Sequence, residues 1–162
     1  MQPRPAFPES TLTDSPLRLV LDTNVVIDAF MFRSELSQPI NDALASGRAQ
    51  CFANADTLAE LARVLTYPAL KLDEPRRQEV YASYCAAAIM VAPAKAPPLP
   101  QCQDKDDQKF LELAAVAGAH WLISRDKLVL KLGRKRRDPA PFRIGDTETF
   151  AQALAELTDS AV

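Results

Sequence analysis

The sequence predicts an α/β fold, a three-layer α/β/α sandwich around a mostly parallel central sheet. Two observations predict it. Short apolar runs alternate with stretches of helical periodicity along almost the whole chain, and parallel strands joined by helical crossovers satisfy that order. The chain has 162 residues and no visible internal repeat, which fits one domain with a core of its own.

The elements follow in order. Residues 1–16, rich in Pro and Ser, are expected to form a flexible tail, with the domain proper over residues 17–158. Leu17 to Leu21 (LRLVL) is a buried strand. Leu36, Ile40, Ala43 and Leu44 recur at helical spacing, with Gly47 as the stop. Cys51 to Ala53 is a second strand. Leu58, Leu61, Ala62 and Leu65 give an i, i+3, i+4, i+7 stripe that ends before Pro68. Val80, Tyr81, Tyr84, Cys85 and Ala88 mark another helical face, and Ile89 to Ala92 a third strand. Pro93 to Pro100 must run extended. Phe110, Leu111, Ala114 and Ala117 give a helix closed by Gly118, and Trp121 to Ile123 a fourth strand. A short helix is expected over Lys127 to Leu132, a fifth strand over Phe142 to Ile144, and a last helix through Phe150, Ala151, Leu154 and Leu157.

Composition narrows the chemistry. Hydrophobic residues make up 48% and charged residues 25%, the balance of an ordinary globular domain. No apolar run is long enough to span a membrane and the N-terminus has no apolar secretory core, so a cytoplasmic location is expected. The three cysteines, Cys51, Cys85 and Cys102, lie far apart and read as buried or half-buried thiols. His120 is the single histidine, which rules out chemistry needing several imidazoles and leaves zinc short of ligands. The formal charge of −2 means that affinity for nucleic acid must come from a local patch.

The acids fall at telling places. Asp22 directly follows the first strand, and Asp126 stands just past the fourth. Sites in open parallel sheets lie at the carboxyl ends of the strands. Glu60 and Asp107 are expected in the first turns of their helices, at the same edge, with Asp104 and Asp106 beside Asp107. Clustered carboxylates repel unless a cation neutralises them, and all-oxygen ligands favour Mg²⁺ or Mn²⁺. Such an ion cuts a phosphodiester without histidine. Helix capping is the competing account of each acid. Thr57-x-x-Glu60 matches a capping box, Asp104 and Asp107 suit a helix start, and Asp22 and Asp126 suit whatever follows their strands.

LRLVLDTNVVIDAF resembles the first strand of PIN-domain nucleases, where an apolar run ends in Asp-Thr-Asn or Asp-Thr-Ser. ADTLAELARVL resembles their second motif. DKDDQKFLELAAVAGAHWLISRD resembles the third and fourth together, an acid, a helix and a strand ending in Ser/Thr-x-Asp. The similarity runs from Leu17 to about Leu157, and the Asp-Asp-x-Lys-Phe-Leu wording is nearest to PIN proteins of toxin–antitoxin pairs (VapC-like). The resemblance implies a metal-dependent endoribonuclease with Asp22, Glu60, Asp107 and Asp126 as catalytic, metal-binding acids. Asn24 and Ser124 match polar positions that orient the site, with Asp104 or Asp106 assisting. It also implies an RNA substrate, a small antitoxin partner and a homodimer.

Arg125, Lys127, Lys131, Arg134, Lys135, Arg136 and Arg137 crowd the region around Asp126. They read as a rail for RNA phosphates or as a solvated loop. His120 reads as a strand-edge residue, and Trp121, Tyr81 and Tyr84 as core. Two other functions compete. A non-catalytic PIN-like module would bind RNA or protein without cutting. A haloacid dehalogenase-like phosphotransferase also places Asp after its first strand, but needs a second Asp where Asn24 stands, and is disfavoured.

Overall fold

The computed structural model describes residues 15–134, 137 and 139–161, so most of the expected tail lies outside the described residues. Five strands form one sheet among these residues: β1 (Leu17–Leu21), β2 (Ala49–Ala53), β3 (Ala88–Met90), β4 (Trp121–Ile123) and β5 (Arg143–Gly145). Their order is β3-β2-β1-β4-β5 and every pairing is parallel. Seven α-helices accompany them: α1 (Thr23–Ile27), α2 (Gln38–Ala45), α3 (Ala55–Val64), α4 (Glu74–Ala87), α5 (Gln108–Ala117), α6 (Lys127–Leu132) and α7 (Thr147–Ala161). The α/β/α expectation therefore holds.

Residues that alternate along a strand feed two cores. Leu19 and Leu21 of β1, with Trp121 and Ile123 of β4, pack in one core with residues of α1, α2, α3, α4 and α7. Val20 and Leu122 point the other way, into a core with Phe110, Leu111 and Leu113 of α5 and Val129 of α6. A sheet covered on both faces needs continuous apolar strands, and LRLVL and WLI supply them.

The chain steps from β1 to β2 to β3, then returns through α5 to place β4 on the other side of β1. The direction of winding reverses between β1 and β4, and ligand sites of open α/β sheets form at such a switch point. Local signals fix the crossovers. Asn54 and Thr57 form the capping box of α3, each side chain accepting from the other's backbone N–H. Gly118 ends α5 at φ +64°, and a Cβ there would meet the Arg18 guanidinium at 2.9 Å.

The structure corrects several sequence expectations. No helix was expected over Thr23–Ile27, yet α1 forms there and runs on into a wide helical turn over Asp28–Phe32. Val25, Val26, Ile27, Ala29 and Phe30 are all buried and only Asn24, Asp28, Met31 and Phe32 reach the outside, so the apolar run leaves little helical stripe to read. Leu36 lies in a short turn before α2 and is 59% exposed, so it does not belong to the stripe of Ile40 and Ala43. β2 begins two residues earlier than expected, β3 covers Ala88–Met90 rather than Ile89 to Ala92, and β5 sits one residue later. The α3 capping box uses Asn54 and Thr57, which puts Glu60 in the second helical turn rather than the first.

Candidate active site

The carboxyl ends of β1 and β4 bring Asp22 and Ser124 side by side. Asp22 is only 4% exposed, and its Oδ2 accepts from the wholly buried Ser124 hydroxyl at 2.6 Å. The same hydroxyl accepts from the Asp126 N–H at 3.0 Å, so one serine ties the ends of both strands together. Asp126 Oδ1 accepts from the N–H groups of Leu128 and Val129 at 2.8 and 3.3 Å, capping α6. Asp22 precedes α1 without capping it through its side chain. Capping therefore accounts for part of Asp126 and for none of the Asp22 side-chain contacts.

Glu60 reaches the same region from α3. It is 8% exposed, its Oε2 accepts from the Thr23 hydroxyl, and its Oε1 accepts from Lys109 Nζ at 2.8 Å. Arg63 approaches that Oε1 at 3.8 Å. Asp107 stands at the head of α5, after a short turn over Lys105–Asp107, and makes no side-chain cap bond. Its Oδ2 is buried without a hydrogen-bond partner. A buried acceptor left unsatisfied costs about 1–3 kcal/mol, so this atom marks a place where a partner is needed.

The acids act on one another. Burial raises the Asp22 carboxyl above the usual range, the Ser124 hydrogen bond opposes this, and the charges of Glu60 and Asp126 add to it. Asp107 is pushed up to about 7, first by burial and then by the charges of Asp22, Asp104, Asp126 and Glu60. The four acids thus share one electrostatic field, three of them from strand or helix ends and Glu60 from the second turn of α3. Among the described residues, no three His, Cys, Asp or Glu side chains are set to enclose an ion as they stand. The donor chemistry still fits a hard cation: oxygen ligands, mutual repulsion and one orphaned buried carboxylate oxygen.

The assisting residues separate. Asn24 is exposed at the start of α1. Asp104 is exposed, and its carboxylate accepts from the Asp106 N–H at 3.0 Å, so it caps the turn ahead of Asp107. Asp106 is also exposed. In the basic stretch, Arg125 pairs with Asp28 at 3.4 Å, while Lys127, Lys131, Arg134 and Arg137 are exposed. Lys135 and Arg136 lie outside the described residues. His120 Nδ1 accepts from the Arg18 N–H at 2.9 Å. Trp121 packs edge-on to Phe150 in the core, and Tyr84 is buried.

Sequence reasoning missed Thr23 and Lys109, the two donors that hold Glu60. Both stand inside quoted motifs, Thr23 in Asp-Thr-Asn and Lys109 in Asp-Asp-x-Lys-Phe-Leu. Reading only the acids of those motifs hid them.

No helix of the described residues is long and apolar enough to cross a membrane. A search of curated proteins finds no match to the chain. The family model of the PIN domain matches residues 18–128, a span that includes all four acids and both donors to Glu60. PIN domains are typically nucleases that use divalent metals, and this chain belongs to the PIN-domain family.

Proposed function

We propose that the protein is a metal-dependent endoribonuclease whose ion is held by Asp22, Asp107 and Asp126 with Glu60. The orphaned Asp107 oxygen, buried in the field of the other acids, carries this reading. A bound Mg²⁺ or Mn²⁺ would polarise a phosphoryl oxygen and lower the pKa of its water. The chain's own residues prepare the site. Ser124 fixes one oxygen of Asp22, Thr23 fixes one of Glu60, and Lys109 holds the other. The exposed cations of α6 beside Asp126, Lys127 and Lys131, would meet RNA phosphates, with Arg134 and Arg137 further along the chain.

A role as the toxin of a toxin–antitoxin pair rests on the Asp-Asp-x-Lys-Phe-Leu wording. It brings with it a small antitoxin, a homodimer and a cytoplasmic setting. One observation favours a non-catalytic RNA-binding module instead: Lys109 already neutralises Glu60. The purified chain is expected to cut a single-stranded RNA with Mn²⁺ and to stop in EDTA. Cleavage that persists in EDTA overturns the metal mechanism. RNA binding without cleavage under any divalent ion selects the module.

A further inference from the structure

Glu60 Oε1 has two cationic neighbours, Lys109 at 2.8 Å and Arg63 at 3.8 Å. Lys109 alone satisfies that oxygen, so the charge of Arg63 is surplus to it. Arg63 is 58% exposed. Its guanidinium lies beside the Tyr67 hydroxyl. Tyr67 lies just beyond α3 and is 47% exposed. Its backbone is pinned on both sides: its N–H donates to the Val64 carbonyl at 2.9 Å, and its carbonyl accepts from Leu70 at 3.0 Å. A large ring on a fixed backbone loses little entropy when something stacks on it. Placed singly, an i, i+3 ion pair and an exposed tyrosine are ordinary surface features. Here the two are neighbours, and Arg63 lies 3.8 Å from one of the buried site acids.

We propose that Arg63 and Tyr67 form a nucleotide subsite for single-stranded RNA. Arg63 takes a backbone phosphate and Tyr67 stacks an unpaired base, one step from the scissile position. This rests on the nuclease reading and extends it. It adds a contact beside α3 to those that the exposed cations of α6 would make. Stacking suits a single strand because every base has a face to offer, and a phosphate suits the planar fork of arginine.

The test uses the full chain carrying Asp22→Asn to prevent turnover, and a labelled single-stranded oligoribonucleotide read by fluorescence anisotropy. An abasic nucleotide is moved through the RNA one position at a time. The parent is expected to lose about tenfold in affinity at one position. Tyr67→Leu is expected to lose a similar factor on intact RNA and to become insensitive to that abasic position, while Tyr67→Phe keeps the pattern. Arg63→Gln is expected to reduce the salt slope of binding by about 0.7. If Tyr67→Leu keeps the parent's abasic profile, or Arg63→Gln its slope, the subsite is overturned while the nuclease reading stands. If the parent fails to bind RNA at all and the native chain fails to cut it, the nuclease reading fails and the subsite falls with it.

Discussion

The middle of α3 and the head of α5 each deliver one acid to the same field, and the two regions treat their acids in opposite ways. On α3, Glu60 is buried but compensated, with Thr23 on one oxygen and Lys109 on the other. At the head of α5, Asp107 is left with a buried oxygen that has no partner, and its carboxyl is raised to about 7. The first acid is held ready by the protein itself. The second is destabilised until something positive arrives. If an ion binds there as proposed, a site with both kinds keeps its geometry when empty and gains stabilisation when the ion arrives.

The largest break in that comparison is Asp107→Asn. Several kcal/mol of transition-state stabilisation depend on a correctly held ion, so cleavage is expected to fall by roughly 10³-fold. Metal-free stability is expected to move the other way, because the substitution removes a repelled charge. The sign with pH follows from the raised value. The folded carboxyl keeps its proton up to about 7, while the unfolded one loses it near the ordinary value of 3.8. Between those values the folded state binds more protons, so metal-free stability falls as pH rises and levels off above about 7. Melting in EDTA at pH 5 and pH 8 checks this. The native chain should melt lower at pH 8, with the difference reduced in Asp107→Asn. The raised Asp22 leaves a residual slope of the same sign. A variant that melts lower than the native chain at pH 8 and still cuts RNA would make Asp107 structural.

On α3 the comparison predicts the reverse. Lys109→Met strips the cation from a buried carboxylate whose only other close cation among the described residues is the exposed Arg63. The cost should be about 1–3 kcal/mol of metal-free stability, read by urea denaturation in EDTA. Added Mn²⁺ should restore more stability to this variant than to the native chain, because the ion replaces the missing charge. An unchanged midpoint in EDTA would show that Glu60 is not held by Lys109.

This contrast was only half legible in the sequence. The acids could be read because strand ends and helix starts are marked by apolar periodicity, and LRLVL and WLI are unambiguous runs. The sheet's two-sided burial follows from the same runs, whereas the strand order β3-β2-β1-β4-β5 does not. α1 could not be read, because it is five residues long with four of them buried, too short a run to show a helical period. Glu60 was displaced by one turn because Thr57-x-x-Glu60 imitates a capping box, while the working box starts at Asn54. The partners of Glu60 are 37 and 49 residues away, and no local pattern pairs them. The pairing of Arg125 with Asp28 joins the segment after β4 to the wide turn after α1, a contact that only the fold creates.

Asp126 makes the finest distinction, because it serves both accounts at once. Its carboxylate caps α6 through two N–H groups, and its charge is one of those that raise Asp107. A cap and a ligand respond differently to the same pair of substitutions. Asparagine caps a helix about as well as aspartate, whereas alanine does not, at a cost of about 1 kcal/mol. Charge, which a ligand needs, is lost in both. Asp126→Asn should therefore keep the native melting temperature in EDTA or exceed it slightly, and Asp126→Ala should fall below it. With saturating Mn²⁺ the two variants should gain equally little, and less than the native chain, because neither retains the negative oxygen. Differential scanning fluorimetry with and without the ion separates the two contributions. If Asp126→Asn gains as much from Mn²⁺ as the native chain does, the residue is a helix cap alone, and the field at Asp107 must draw its metal ligands from Asp22 and Glu60.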